Sequence, residues 1–366
     1  MQVRFEFLIL GGGLAGLAVA AALAPHRRLC LVEREAWLCR HASGRAAAMF
    51  IPTYGGPVVS RLARASRGLL APDLLEPRAA LHLASEETDL AAVQQWGRGR
   101  RIDAAEIAKL APGLRAGATA LGFLETDAGL IDLAGLVDRL RRAVLRHGPI
   151  VTGFEAETIE RRQGCWRLRS AERTLAGAVL VNAAGPWADE TARLAGVQPL
   201  GLQSYRRTLI EAAPPPAVEV RTWPILKQAN GQGYLRPAGD AVWASACEET
   251  PSPPCDAQSD PLSVALACES LNDLTGRTEW TPTAHWAGLR SFAADRDPVA
   301  GWATDAADYF WIAGLGGSGV QCAPALGQAA AAMLGGAPWP EALVAEDLTA
   351  ALLSPQRLRR VPIGDQ

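Results

Sequence analysis

The first thirty-three residues constrain the fold more than any other part of the chain. Residues 5–10 are an apolar run typical of a buried strand, and Gly11-Gly12-Gly13-Leu14-Ala15-Gly16 follows at once. Residues 17–24, which are Leu, Ala and Val, indicate a helix, and residues 29–33 are a second strand-like run that ends on Glu33. This order of strand, glycine loop, helix and strand is typical of a βαβ unit that binds a dinucleotide.

The residue types in this unit have separate physical roles. Gly11 permits a tight turn, Gly13 lets backbone N–H groups approach a pyrophosphate, and Gly16 lets the helix pack closely on the strand. The N-terminus of the helix adds unpaired N–H groups and a positive dipole. Glu33 is placed to accept hydrogen bonds from a ribose diol and would repel a 2′-phosphate. The unit predicts bound FAD or NAD, and the alternative is a glycine loop beside an apolar helix.

The bulk composition excludes several classes of protein. The chain has 366 residues, enough for two domains or one large domain with insertions, and 49% of them are hydrophobic. A net charge of −2 does not favour a nucleic-acid partner. Seven cysteines without a CxxC pair argue against a disulfide framework or a zinc site and favour a reducing compartment. We expect a soluble, cytoplasmic protein without a signal peptide or membrane span, and peripheral contact with the inner membrane stays open.

Two later segments have the same glycine- and alanine-rich composition as the first βαβ unit. The strand expected at residues 178–182 opens into Ala183-Ala184-Gly185, which suits a second close approach to a dinucleotide. The strand expected at 310–314 opens into Leu315-Gly316-Gly317-Ser318-Gly319, before an Ala-rich helix at 320–334. The two ends of the chain therefore belong to one domain, which a β-rich block at residues 205–285 interrupts.

Shorter patterns predict the remaining elements. Ser43-Gly44-Arg45 before an Ala run indicates the capped start of a helix over residues 45–50 and a second anion site. Hydrophobic periodicity and turn residues predict the following helices at 57–70, 103–110 and 133–147, and strands at 78–84, 121–124, 150–159, 165–170, 205–212, 232–237 and 241–246.

In combination these motifs resemble the D-amino acid oxidase-like FAD-dependent oxidoreductases, and most closely the D-arginine dehydrogenases among them. The segments that carry the resemblance are Gly11–Gly16, His41-Ala42-Ser43-Gly44-Arg45, Leu180-Val181-Asn182-Ala183-Ala184-Gly185, Trp286-Ala287-Gly288-Leu289-Arg290-Ser291-Phe292 and Gly316-Gly317-Ser318-Gly319. The resemblance implies an α/β fold in which a Rossmann-like FAD-binding domain of the glutathione-reductase type carries an inserted α+β substrate domain with a mostly antiparallel sheet.

The resemblance also implies how the chain is divided and what it binds. The FAD-binding domain is expected at 1–75, 135–200 and 284–355, the substrate domain at 76–134 and 201–283, and a tail at 356–366. The expected partners are FAD, a small amino acid substrate and an electron acceptor, either a quinone or O2, with a monomer as the default state. The implied reaction moves a hydride from the amino acid Cα–H to flavin N5, and the imino acid then hydrolyses to a 2-oxo acid and ammonia.

Site residues follow from the resemblance position by position. Arg290 is expected to clamp the substrate carboxylate, with Tyr234 and Arg207 beside it, Tyr54 at the entrance and Gly317 near the substrate amine. The alternatives are a surface ion pair for Arg290, a solvated charge on a strand for Arg207, core packing for the two tyrosines and a purely structural glycine turn for Gly317. The expected FAD-binding residues are Gly11, Gly13, Leu14, Ala15, Gly16, Glu33, Arg34, Ser43, Gly44, Arg45, Ala46, Ala47, Ala184, Gly185, Gly316, Gly317, Gly319, Val320 and Gln321.

Two departures from the D-arginine dehydrogenase pattern, and one from the sarcosine oxidase-like relatives that attach FAD through a cysteine, modify these expectations. Met49 replaces a histidine, and Ala80 replaces the acid that receives the guanidinium of D-Arg. A cationic side chain would be buried unpaired, so we expect neutral or apolar substrates instead. No cysteine lies in residues 288–298, where relatives attach flavin covalently, so FAD is expected to be non-covalent; Cys322 is interpreted as a packing residue.

Two other functions stay open at this stage. The same fold and clamp suit oxidation of N-substituted or imino amino acids, as in sarcosine- or glycine-oxidase-like enzymes. The changes at Met49 and Ala80 also leave room for a non-catalytic FAD-binding partner subunit, although retention of Arg290, Tyr234 and Arg207 argues against it. A tRNA-modifying role would need a basic face, which the near-neutral charge does not favour.

Overall fold

The computed structural model describes residues 4–84, 86–95, 97–115 and 121–359. In these residues the helices are α1 Leu14–Leu23, α2 Pro57–Arg67, α3 Glu87–Gln94, α4 Ala104–Leu110, α5 Leu133–Leu145, α6 Ala188–Leu194, α7 Pro261–Thr275, α8 Gly319–Gly335, α9 Glu341–Val344 and α10 Ala350–Leu353. The strands are β1 Arg4–Leu10, β2 Leu29–Val32, β3 Met49–Phe50, β4 Leu75–Pro77, β5 Ala80–Ala84, β6 Gly99–Ile102, β7 Leu121–Glu125, β8 Gly129–Ile131, β9 Ile150–Val151, β10 Thr158–Arg162, β11 Cys165–Arg169, β12 Thr174–Asn182, β13 Gln203–Ala213, β14 Ile225–Gln228, β15 Tyr234–Ala238, β16 Ala241–Ser245, β17 Thr250–Pro251, β18 Thr281–Phe292, β19 Val299–Trp302 and β20 Tyr309–Ala313.

The first sheet unites the two ends of the chain. Its path is β10-β11-β12-β1-β2-β9, and β20 pairs with β12 while β19 pairs with β20. Strands β9, β2, β1, β12 and β20 run parallel, which agrees with their near-continuous apolar sequences. β12 is paired with β11 in its first half and with β20 in its second half. The α/β fold and the union of the two ends are therefore confirmed.

Small residues let the two Ala-rich helices α1 and α8 pack against each other beside this sheet. A Cβ at Gly327 would lie 2.8 Å from the Cβ of Ala18, so the helices approach more closely there than larger side chains allow. Both helices contribute to one continuous buried core with β1, β2 and α2. This close packing holds the two glycine loops, one from each end of the chain, in the same region.

The second sheet is built from the middle of the chain. Its path is β17-β13-β16-β15-β14-β5-β7-β6, with β18 paired along the full length of β13. All pairs are antiparallel except β14 with β5, so the expected mostly antiparallel sheet is confirmed. α7 packs across β13, β15 and β16, and its N-cap Asp260 accepts from the Ser263 N–H at 2.9 Å. A third, small sheet has the order β3-β8-β4.

Two local predictions are wrong. The expected helix over residues 45–50 is a turn followed by β3, because the Ser43 hydroxyl accepts from the Leu14 N–H at 3.0 Å and so caps α1. The turn is closed by a bond from the Gly44 N–H to the Cys39 carbonyl at 2.9 Å. The strand expected at 150–159 is limited to 150–151 and 158–159, with a loop between them.

The division into domains stays a prediction. The expected boundary at residue 284 falls inside β18, which continues in the second sheet to Phe292. Of the expected tail, residues 360–366 lie outside the described part of the chain. Among the described residues, no helix combines the length and the apolar character that crossing a membrane requires.

Candidate active site

The first glycine loop is held so close to the end of β12 that side chains do not fit. Gly11 has a φ of +116°, and a Cβ there would lie 2.3 Å from the Ala183 carbonyl oxygen. A Cβ at Gly16 would lie 1.9 Å from the Gly11 carbonyl oxygen. The backbone is therefore exposed at the N-terminus of α1, as a phosphate cradle requires.

The expected ribose-binding acid is fixed at the tip of β2. Glu33 Oε2 accepts from the Gly12 N–H at 2.6 Å, and Oε1 accepts from the Glu35 N–H at 2.8 Å. Each carboxylate oxygen has a second lone pair, so two bonds leave acceptor capacity for a diol. Glu33 is half-buried and lines a cavity, and its role as a ribose ligand stays a prediction.

Three adjoining cavities run from Glu33 to the second sheet. The outer cavity has a volume of about 240 Å³ and the predicted residues that line it are Gly11, Gly13, Glu33, Arg34, Ser43, Ala184 and Gly185. The middle cavity has about 110 Å³ and is lined by Gly13, Leu14, Ala15, Ser43, Ala46, Gly185, Arg290, Gly316, Gly317, Gly319 and Val320. The inner cavity has about 50 Å³ and is lined by Ala46, Ala47, Tyr54, Arg207, Tyr234, Arg290, Gly317, Val320 and Gln321. Gly13 and Ser43 join the first two cavities, and Arg290 and Gly317 join the last two.

Three of the predicted cofactor residues line none of these cavities. Gly16 packs against the Gly11 carbonyl and supports the loop without lining a cavity. Gly44 lies in the turn that is closed by its N–H bonding to the Cys39 carbonyl. The Arg45 guanidinium points toward the second sheet, where it donates to the carbonyls of Ala257 at 2.8 Å and Ala287 at 3.1 Å. Arg45 therefore anchors the segment between the sheets instead of facing the cavities.

All five predicted substrate residues line the inner cavity: Tyr54, Arg207, Tyr234, Arg290 and Gly317. Arg207 on β13 donates from Nη1 to the Tyr54 hydroxyl at 2.8 Å and pairs through Nη2 with Glu249 Oε1 at 3.1 Å. A Cβ at Gly317 would lie 2.3 Å from the same Tyr54 hydroxyl, so the glycine loop of α8 directly abuts this pair.

Arg290 is buried and has no ion-pair partner in the part of the chain that the structure describes. It lies on β18 with 6% exposure and donates to two carbonyls, of Leu289 at 3.1 Å and Arg45 at 3.5 Å. Among the described residues, no carboxylate oxygen lies within 4.0 Å of its guanidinium nitrogens. Burial and the neighbouring charge of Arg207 both lower its pKa. A guanidinium in this position is poised to receive an anionic group from outside the chain.

Lys227 is a site residue that the sequence analysis missed. It lines the inner cavity from β14 with 7% exposure, and in the sheet it lies opposite Tyr234 on one side and His82 on the other. Burial lowers its pKa. A signal was present in the sequence: Lys227 is one of two lysines among 36 basic residues, and it follows the apolar run Trp223-Pro224-Ile225-Leu226.

The two departures at Met49 and Ala80 belong to one small hydrophobic cluster beside the inner cavity. Ala80 is fully buried in a small cluster against which Met49 and Tyr54 pack, and Met49 lines the inner cavity. Ala80 lies opposite Glu125 in the sheet. That carboxylate, which is also fully buried, accepts from Thr53 Oγ1 at 2.5 Å and lies 2.9 Å from His82 Nε2, so it is held by the chain itself.

The shape of this region fits FAD. A phosphate cradle that a Cβ would fill lies between a cavity that ends on Glu33 and a cavity that ends on Arg290. The joined cavities form an elongated path with an acid at one end and a polar, cationic chamber at the other. A dinucleotide needs a diol acceptor, a pyrophosphate cradle and room for a second ring system in this order.

Comparison with solved structures supports the same architecture. The chain superposes on L-proline dehydrogenase from P. horikoshii with a TM-score of 0.84 and 16% identity, covering 98% of this chain and 99% of the other. It superposes on glycine oxidase from Geobacillus kaustophilus with a TM-score of 0.79 and 20% identity, covering 91% and 95%. At these identities the likeness is one of fold.

Sequence comparison identifies the family. A curated relative, the tRNA 5-methylaminomethyl-2-thiouridine biosynthesis bifunctional protein of Burkholderia multivorans, is 31% identical over 265 residues, or 64% of this chain. The chain spans only 38% of that relative's length. The family model described as FAD dependent oxidoreductase matches residues 6–333, which include the glycine loops, the inner cavity and most of α8. The chain belongs to the FAD-dependent oxidoreductase family.

Proposed function

We propose that this protein oxidises the Cα–N bond of a small α-amino acid, with D-amino acids as the first substrates to test. The observation that carries the proposal is Arg290, a buried guanidinium without an ion-pair partner at the junction of the middle and inner cavities. A carboxylate bound there would neutralise it through two charge-assisted hydrogen bonds. Bound FAD supplies the two-electron redox chemistry, and the chain supplies binding and orientation.

The neighbouring residues suit this task. Burial raises the pKa of Tyr234, so its phenol stays protonated and is available to donate to a carboxylate oxygen. The hydrogen-bonded pair of Tyr54 and Arg207 lines the same cavity, and the absence of a side chain at Gly317 makes room for this pair. A substrate held by its carboxylate is fixed with respect to the cofactor path, which is the positioning that such a reaction requires.

The charges around the inner cavity argue against D-arginine as a good substrate. Among the described residues, no Asp or Glu lines the inner cavity, whereas Arg207, Lys227 and Arg290 do. A second guanidinium on the substrate would be buried next to these cations without a partner, which is costly. The prediction of neutral or apolar side chains rests on the missing acid alone.

A second candidate function is oxidation of N-substituted or imino amino acids. Two structures with this fold are named for L-proline and glycine, and neither name refers to a D-amino acid. The carboxylate clamp serves both substrate classes equally, because it does not contact the amine. The configuration at Cα and the substituent on nitrogen therefore need a direct measurement.

The deciding experiment is anaerobic mixing of the purified flavoprotein with D- and L-amino acids, proline and sarcosine. We expect the flavin absorbance to bleach with D-amino acids, and bleaching by L-proline or sarcosine instead would support the second candidate. Admission of air then distinguishes O2 from a quinone as acceptor, since rapid return of the yellow colour identifies an oxidase. A flavin that no amino acid or amine reduces would contradict both candidates and favour a non-catalytic subunit.

Non-covalent attachment of FAD is a separate prediction. Burial raises the pKa of Cys39, which lines the outer cavity, to about 12, and that of Cys322, buried against Val59, also to about 12. Protonated thiols are poor nucleophiles, so neither is disposed to attach to flavin. Precipitation with trichloroacetic acid should leave all of the flavin in the supernatant. A yellow pellet would show a covalent bond.

A further inference from the structure

We propose that the substrate is an amino or imino dicarboxylate, whose first carboxylate binds Arg290 and whose second carboxylate binds Lys227. The proposal rests on the proposed oxidation of an amino acid in the inner cavity and names its substrate class. Aspartate, glutamate and iminodiacetate belong to this class.

The charges around the inner cavity do not balance within the chain. Arg207 is paired with Glu249, which also binds Arg296 at 2.5 Å. In the described part of the chain, neither Arg290 nor Lys227 has a carboxylate oxygen within 4.0 Å of its charged nitrogens. Among these residues the Lys227 ammonium donates one long hydrogen bond of 3.5 Å to the Gln228 carbonyl, and it lies 5.6 Å from the centre of the Tyr54 ring. Both basic side chains therefore lack an ion-pair partner among the described residues, and a bound anion would offset the burial that lowers the pKa of Lys227.

The nearest buried acid is already committed elsewhere. Glu125 Oε1 accepts from the Thr53 N–H at 3.1 Å, and Oε2 is bound by the Thr53 hydroxyl and lies 2.9 Å from His82 Nε2. This network orients the carboxylate toward Thr53 and His82. An isolated buried cation is unfavourable, whereas a cation that meets an anionic ligand is a common recognition device.

The two cations approach the cavity from well-separated strands. In the second sheet, β14 with Lys227 and β18 with Arg290 are separated by β15, β16 and β13. Four steps of about 4.8 Å place their backbones about 19 Å apart along a flat sheet. Their long side chains nevertheless line one cavity of about 50 Å³. Two basic side chains that come from separate strands and line one cavity suit two carboxylates of a compact molecule better than one carboxylate held twice.

Substrate pairs that differ in the second carboxylate test the proposal. Anaerobic flavin reduction would be measured with aspartate against asparagine, glutamate against glutamine, both as D and L forms, and iminodiacetate against sarcosine. We expect kcat/KM for the dicarboxylate of the reactive pair to exceed that of its neutral partner by about tenfold or more. Neutral partners that react as well or better would overturn the proposal and restore the expectation of neutral or apolar substrates.

Substitutions at Lys227 test whether this residue carries the preference. Lys227→Met should reduce the ratio of dicarboxylate to neutral kcat/KM to about one, and Lys227→Arg should retain most of it. Lys109→Met, at the chain's other lysine, which is exposed on α4, is the matched control and should leave the ratio unchanged. A Lys227→Met enzyme that slows equally with both members of each pair would contradict the proposal, because a base or a packing residue would act on both alike.

A binding measurement covers the case of variants with low turnover. Malonate and acetate, which lack an amine, would be titrated into each FAD-loaded protein while the flavin absorbance spectrum is followed. Tighter binding of malonate than acetate, lost in Lys227→Met and kept in Lys109→Met, is the expected result, and equal binding to the parent protein would overturn the proposal. If neutral amino acids reduce the flavin and dicarboxylates do not, the proposed function stands and this inference fails. If neither neutral amino acids nor dicarboxylates reduce the flavin, the proposed function itself is contradicted.

Discussion

Replacement of Arg290 by methionine should lower kcat/KM for the amino acid substrate by about a hundredfold or more, with FAD still bound. Loss of one partner from a buried, hydrogen-bonded charge pair costs about 2–5 kcal/mol, and each 1.4 kcal/mol is a factor of ten. Methionine has a similar length, fits among buried residues and removes a buried charge that has no ion-pair partner among the described residues. The folded protein should therefore be no less stable, because the substrate, and not the chain, supplies the missing anion.

Stopped-flow reduction of the flavin separates this effect from a loss of structure. Arg290→Lys should fall between the parent and Arg290→Met, because an ammonium keeps the charge and loses the fork that holds a carboxylate at two points. Arg221→Met is the control, since that arginine has a side chain 67% exposed and pairs only with the exposed Asp240 among the described residues. An Arg290→Met enzyme that reacts at the parental rate would show that the carboxylate binds elsewhere.

The parts of the fold that were predictable are those in which local chemistry and long-range packing agree. Gly11 and Gly16 occupy positions that no side chain can fill, and the apolar runs around them are buried strands and helices. Asp103 precedes α4 and accepts from the Glu106 N–H at 2.9 Å, as its sequence pattern predicts. In each case the residue makes either an interaction with neighbours close in sequence or one close backbone contact, so its residue type was enough to predict its role.

The segment after β2 was mispredicted because its polar atoms act at long range. Ser43 has the residue type of a helix cap, and it does cap a helix, but that helix is α1, twenty-nine residues earlier. Arg45 has the residue type of an anion ligand, yet its guanidinium binds Asp256 and the carbonyl of Ala257, more than two hundred residues later. Spacing along the chain contains no information about partners so distant.

Lys227 illustrates a different limit. Arg207, Tyr234 and Arg290 were found through motifs and do reach one cavity, whereas Lys227 lies in a short strand without a motif. The strand order places it opposite both Tyr234 and His82, and among the described residues no carboxylate oxygen lies within 4.0 Å of its ammonium. A buried charge without a partner can be recognised only when all of its neighbours are known. The proposed substrate class therefore depends on the structure, whereas the cofactor was predictable from sequence motifs.

Replacement of Gly16 by alanine should release the cofactor and destabilise the protein by about 3 kcal/mol or more. Two effects oppose each other at this position. Alanine favours a helix over glycine by about 1 kcal/mol, which would stabilise α1. A Cβ at Gly16, however, would lie 1.9 Å from the Gly11 carbonyl oxygen, a contact that the loop relieves only by moving. Because that movement displaces the phosphate cradle itself, the steric effect should exceed the gain in helix propensity.

The measurement is the ratio of flavin to protein absorbance after purification, together with the melting temperature with and without added FAD. Gly68→Ala is the matched control, since Gly68 follows α2 with a φ of −74° and a Cβ there has nothing within 4 Å. The control should keep its flavin and melt at or slightly above the parental temperature, because alanine restricts the unfolded chain more than glycine does. A Gly16→Ala protein that keeps all of its FAD and its stability would contradict this prediction. The turn at Gly11 could then move without loss of pyrophosphate binding, and the phosphate cradle would have to be assigned to the loop before α8.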